Sequence, residues 1–173
     1  MTIKEIRDIE TNKLTGYNLD GMFVPIDSVN RHYKEIKKAI KDGVEIEPAY
    51  TKEERLNYFK NKKIQELKKE RDDNINKVVI TLSNGITLNG NKNSRIEFSS
   101  TINSLSDTDT IKWIDYNNKD VLLNKDLLKE ALVLTINKHT EIIIAYNSNR
   151  QQVLIANTVC DIYPELKECE GAK

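Results

Sequence analysis

Residues Asn124 to Tyr146 read NKDLLKEALVLTINKHTEIIIAY, and this stretch decides the fold. Asn124 is a helix N-cap by residue type, and Leu123 and Leu128 stand where a hydrophobic staple would close around it. Leu128, Ala131, Leu132, Thr135, His139, Ile142, Ile143 and Tyr146 then recur at helical spacing along one stripe. The spacing predicts a long helix from 125 to about 156, with NSNRQQ at 147–152 as the place for a kink. Beyond it, Pro164 and the terminal GAK predict a frayed tail.

Upstream of this helix, IKWIDYNNKDVLLN at 111–124 reads as a strand pair with Asn117-Asn118 in a type I′ turn. Trp113, beside Ile111 and Ile114, is expected to anchor that hairpin on the long helix. VVITLSNGITL at 78–88 reads as another hairpin, with β-branched residues on both sides of Asn84-Gly85, and Asn89-Gly90 as a turn closing its second strand. Between the hairpins, NSRIEFSSTINSL predicts a short helix carrying Ile96, Ile102 and Leu105. From Thr51 to about Lys77 the chain is charged and free of glycine and proline, which suits a long helix. Its seam of Leu56, Phe59, Ile64, Leu67 and Ile75 is narrow and needs a partner, either the later helix in antiparallel array or copies of itself in a coiled coil.

The N-terminal fifty residues read as a small β-meander around Ile6, Ile9, Leu14, Tyr17 and Phe23, with Asp20-Gly21 as a hairpin turn. Pro25 ends the strand, and Asp27 or Ser28 is placed to cap a helix from near Val29 whose apolar face holds Val29, Tyr33, Ile36, Ala39 and Ile40. Gly43 suits the left-handed residue after that helix. The expected architecture is therefore α+β: a module at 1–50 of meander plus short helix, then a region at 51–173 of long charged helix, two hairpins flanking a short helix, and a long C-terminal helix.

Composition narrows the function. Twenty-seven basic and twenty-seven acidic residues balance, without a long block of one sign, which speaks against nucleic acid as a partner. No apolar run reaches the roughly 18 residues of a membrane span, and the first ten residues lack the apolar core of a secretory signal, so a cytoplasmic product without membrane partner is expected. Cys160 and Cys169 are the only cysteines and are read as reduced and structurally ordinary, with no close ligand pair to suggest a metal. His32 and His139 sit in no catalytic motif, and the carboxylate pairs Glu53-Glu54, Asp72-Asp73 and Asp107 with Asp109 lie on charged helix or loop. No catalytic, cofactor-binding or metal-ligating residue is expected, and no cofactor.

Two stretches carry a resemblance. PIDSVNRHYKEIKKAIKDGVEIEPAY resembles a short segment near the start of small tail and tail-fibre-associated proteins of bacteriophages and prophages, matched at Val24, Pro25, Asp27, Asn30, Arg31, Tyr33, Glu35, Gly43, Ile46, Glu47 and Pro48. Residues 66–157 resemble an uncharacterised domain found in phage tail fibre proteins, matched at Trp113, Asp115, Asn118, Val121, Leu123 and His139. The resemblance implies a non-enzymatic tail, baseplate or tail-fibre-associated structural protein, made in the host cytoplasm and carried in the virion tail. Its partners would be other tail, baseplate or fibre proteins, with a homo-oligomer also open. The alternative is an assembly factor for tails or fibres that is absent from the mature virion. Asn30, Arg31 and Tyr33 are the candidate partner-docking residues; their other reading is local, with Asn30 capping the helix, Arg31 pairing with a carboxylate and Tyr33 packing.

Overall fold

The computed structural model describes residues 2–166 and Cys169. The fold is α+β and divides into two compact units, Met1–Phe59 and Lys60–Lys173, with the division inside a helix that spans Lys52–Asn76.

The first unit is a three-stranded antiparallel meander, β1 (Ile3–Arg7), β2 (Leu14–Leu19) and β3 (Met22–Pro25), followed by α1 (Arg31–Lys41). Asp20 and Gly21 both take positive φ and directly join the paired Leu19 and Met22, as a two-residue type I′ hairpin requires. Helix α1 lays Ile36 and Ala39 on a core of Ile3, Tyr17, Leu19 and Val24. Its N-cap is Asn30, whose Oδ1 accepts the Tyr33 N–H; Asp27 instead turns back to accept from Val29 N–H, and Val29 is exposed, so neither the Asp27 or Ser28 cap nor Val29 on the buried face holds. The helix stops in a Schellman motif, Val44 N–H to Ala39 O and Gly43 N–H to Ile40 O, with Gly43 at φ +88. The chain then returns to the sheet, where Glu47 bridges in parallel to Lys4 on β1.

Helix α2 is Lys52–Asn76. A reciprocal capping box opens it: Thr51 N–H donates to Glu54 Oε2 and Glu54 N–H to Thr51 Oγ1; the bond from the Thr51 N–H, then that from the Thr51 side chain, holds the Glu54 carboxyl below the usual glutamate range. Its first turns are tied to the β1–β2 loop by Arg55, donating to the Ile9 and Glu10 carbonyls.

In the second unit, hairpin β4–β5 (Val79–Thr81, Thr87–Asn89) leads to α3 (Lys92–Ser104), and hairpin β6–β7 (Thr110–Ile114, Asp120–Asn124) leads to α4 (Lys125–Ile155). The two hairpin turns share one plan. Leu82 N–H meets Ile86 O and Gly85 N–H meets Leu82 O; Asp115 N–H meets Lys119 O and Asn118 N–H meets Asp115 O. Only the third loop residue, Gly85 or Asn118, has positive φ, so Asn117-Asn118 is the end of a three-residue loop and not a type I′ pair. Asp115 Oδ1 accepts from the Asn117 and Lys119 N–H groups, which fixes the longer loop. Tyr116 N–H donates to Thr87 O, joining one hairpin to the other.

The core of this unit gathers Val78, Ile80, Leu82 and Leu88 from the first hairpin, Phe98 from α3, Leu123 from β7, and Leu128 and Ala131 from α4. Leu123 and Leu128 flank the Asn124 cap and are both fully buried, as the staple predicts, and α4 runs unbroken through 147–152. Three expectations change. The buried aromatic of α3 is Phe98, while Ile96 points to solvent. Trp113 packs its ring on Phe98 of α3 at 5.3 Å between centroids, against the core that also holds Leu128 and Ala131 of α4, so its anchor takes in the short helix as well as the long one. Asn89 lies within β5, and Gly90 follows it as a close-packing site, so the pair forms no turn. Helices α2 and α4 run antiparallel in this unit, Lys60 Nζ reaching Leu154 O and the Arg71 guanidinium lying over the Tyr146 ring.

After Ala156 the chain reverses through a 3₁₀ turn at Val159–Asp161 closed by a Thr158–Asp161 capping box. That reversal brings the Cα atoms of Cys160 and Cys169 to 5.6 Å, and they form a disulfide. The reading of these cysteines as reduced is therefore corrected: a 3₁₀ turn has no periodic signature, and without it a nine-residue separation does not announce a bridge. Ile162 and Tyr163 are buried and Lys63 stands over the Tyr163 ring, so the chain is packed up to Pro164; in the tail beyond, Pro164 and Glu165 are exposed, Cys169 is buried and bridged, and the terminal GAK lies outside the described residues.

Candidate functional site

The three residues singled out at the start of α1 separate into different roles. Asn30 is spent on the cap. Tyr33 packs toward Tyr17 with Lys37 over its ring. Arg31 alone faces solvent, its side chain 86% exposed, and Nε donates to Glu35 Oε1 at 2.9 Å. His32 Nδ1 meets the other Glu35 oxygen at 3.1 Å. The bond from Arg31, then that from His32, holds the Glu35 carboxyl below its usual range. This end of α1 thus presents one ion-paired patch, Arg31–Glu35–His32, and the structure places Asn30 and Tyr33 in its support.

In the second unit, α2, the start of α3 and the middle of α4 enclose an open cleft of about 580 Å³ that the sequence reading did not find. Arg71, Lys92 and Arg95 supply positive charge, Asp72 the one carboxylate, and Ile75, Ile143 and the Tyr146 ring an apolar wall. Arg71 is held by Asp72 at 2.7 Å. His139 lines the cleft yet is 4% exposed, and its Nε2 lies 2.7 Å from Gly90 O, the geometry of a ring N–H donating to a carbonyl. That bond makes His139 a strut between the end of β5 and α4. The arrangement sets three cationic side chains beside an apolar wall, as an anionic or amphipathic group would need, and the buried imidazole is committed to the Gly90 carbonyl.

Among the described residues, no group of three or more His, Cys, Asp or Glu side chains is arranged to hold a metal ion, and no helix is long and apolar enough to cross a membrane. Exposed apolar side chains occur in both units: Met22, Phe23 and Ile26 at and just beyond the meander's last strand, Ile114, Tyr116 and Leu122 on the β6–β7 hairpin, and Val133, Ile136, Ile143, Ile144, Leu154 and Ile155 on α4.

No curated protein and no solved structure matches the chain. Residues 59–165 match the family model described as Domain of unknown function (DUF4376). The match runs from the end of the first unit through both hairpins, α3 and α4 to the turn beyond them. Since it covers well over half of the 173 residues, the chain belongs to the DUF4376 family.

Proposed function

We propose that this protein is a non-enzymatic structural component of a phage tail, at or near the baseplate and fibres, that works by protein–protein assembly. It is made in the host cytoplasm and resides in the virion tail, with other tail, baseplate or fibre proteins as partners. The observation that carries the reading is the motif run from Val24 to Pro48. Its residues occupy the end of β3, the Asn30 cap, the exposed Arg31–Glu35 pair, the Gly43 stop and the Glu47 bridge, one after another within a single small unit. A run of sequence that specifies one compact module with an outward ion pair suits a reusable docking element.

Mass spectrometry of purified particles from a host carrying the gene tests this. Peptides of this chain are expected in intact particles, in a fixed ratio to the major tail protein. Their consistent absence from particles, with the chain present in the lysate, would overturn residence in the virion.

A further inference from the structure

Helix α4 has two apolar faces, and only one is used inside the second unit. The inner face buries Leu128, Ala131, Thr135, His139 and Val153. Directly opposite, Val133, Ile144 and Ile155 are 55%, 63% and 73% exposed. Each is eleven residues from the next, which is three helical turns, so they stand in line over about 33 Å.

The residues between them follow a pattern that reverses on itself about Ile144. Seven residues to either side stand the amides Asn137 and Gln151, and four to either side the hydroxyls Thr140 and Ser148. All of these positions are exposed and none is charged. Outward from Ile144 the face thus reads hydroxyl, amide, aliphatic in both directions.

We infer that this face pairs with the same face of a second copy, antiparallel, about a two-fold axis at Ile144. An isologous contact requires a surface that matches itself after a half-turn. Here the half-turn sets Val133 against Ile155 of the copy, Asn137 against Gln151, Thr140 against Ser148, and Ile144 against Ile144. Aliphatic meets aliphatic, amide meets amide and hydroxyl meets hydroxyl. A parallel pair would match like with like for any sequence, so the reversal is used only by the antiparallel arrangement. None of the positions that meet across the axis is charged, the exposed Glu141 beside Ile144 is paired with Lys138 on the flank away from Ile136 and Leu154, and antiparallel helices also set their dipoles head to tail. Ile136 and Leu154 lie along one flank, so the half-turn brings the one near the other at both ends of the contact.

The test is the solution mass of the full chain by sedimentation at micromolar concentration, with and without Ile144→Glu. The parent is expected at twice the 20.0 kDa chain mass and the variant at the single mass, with unchanged circular dichroism. A monomeric parent overturns the proposal and assigns the face to another occupant; so does an Ile144→Glu variant that stays dimeric. Should Ile144→Glu lose helix, Ile144→Ala replaces it, with at least a ten-fold weaker dimer expected and unchanged dimerisation overturning the proposal. Orientation is read from Val133→Cys and Ile155→Cys under mild oxidation. Cross-linked dimers are expected only when the two variants are mixed, and cross-linking of either alone overturns the antiparallel arrangement.

Discussion

Helices α1 and α4 are built by the same device and finished differently. Each follows a hairpin, and each is capped by an asparagine side chain accepting an N–H three residues on, Asn30 from Tyr33 and Asn124 from Leu127. Helix α1 then closes its account locally: Ile36 and Ala39 go into the meander core, and Arg31, Lys37 and Lys38 face water. Helix α4 is nearly three times as long and carries aliphatic residues on opposite faces, with polar Thr135 and His139 among the buried ones. The difference teaches that a cap and a stripe establish where a helix lies, while the composition of its far side indicates whether its unit is complete.

The largest effects come from emptying the inner faces. Ile36→Ala in α1 and Leu128→Ala in α4 are each expected to cost about 2–5 kcal/mol, because both side chains are fully buried and leave a cavity. Denaturant unfolding followed by circular dichroism checks this, and a loss below 1 kcal/mol for Leu128→Ala would break the account of α4 as a core helix. The caps come next: Asn30→Ala and Asn124→Ala should each cost about 1 kcal/mol. Equal losses support the shared device. A much larger loss at Asn124 would mean that its staple depends on the cap.

The polar residues of the inner face of α4 sharpen the contrast further. Thr135 Oγ1 is buried without a hydrogen-bond partner among the described residues, so Thr135→Val removes an unsatisfied hydroxyl at little change in shape. The expected result is a stability gain of up to about 1 kcal/mol in the same unfolding assay. A loss would reveal a partner for that hydroxyl. The smallest effect concerns acid. Glu35 is held below its ordinary 4.5 by Arg31 and then His32, so its contribution to α1 is complete above that value and fades as pH falls through the lower folded value. An NMR titration should show Glu35 protonating below the usual range in the parent and moving back toward it in Arg31→Gln. No movement would remove the ion pair as the cause.

How much of this was legible in the sequence depends on whether a signal is local. The Asn124 cap, the Leu123–Leu128 staple, the type I′ turn at Asp20-Gly21 and the Gly43 stop are written within a few residues and were readable, whereas the start of α1 offers Asp27, Ser28 and Asn30 in close succession and only the structure selects Asn30. Loop length in the second unit was not, since Asn-Gly and Asn-Asn serve both two-residue and three-residue hairpins, and the choice follows from the pairing of Thr81 with Thr87 and Ile114 with Asp120. Phe98 was passed over because the periodicity around it is shared with Ile96, and only the approach of Trp113 from another element decides which is buried. The disulfide needed a chain reversal that has no period. At the start of α1 the local roles of Asn30, Arg31 and Tyr33 were legible by residue type, while the choice of Glu35 as the partner of Arg31 needed the helix; the cleft lined by Arg71, Lys92 and His139 draws on three elements and left no mark on any one of them.

Gly90 makes a further point about kinship within the family. A Cβ there would stand 2.8 Å from Val78 Cγ1 and 3.2 Å from both Ile80 Cγ2 and Thr135 Oγ1, while its carbonyl takes the His139 ring nitrogen. Positions 78, 80, 90, 135 and 139 therefore form one unit of inheritance. A relative with any side chain at 90 must trim Val78 or shift the helix, and a relative lacking His139 must find another donor for the carbonyl at 90. Substitutions at these sites should travel together when family sequences are aligned, and a lineage that changes Gly90 alone would carry a differently seated β4–β5 hairpin.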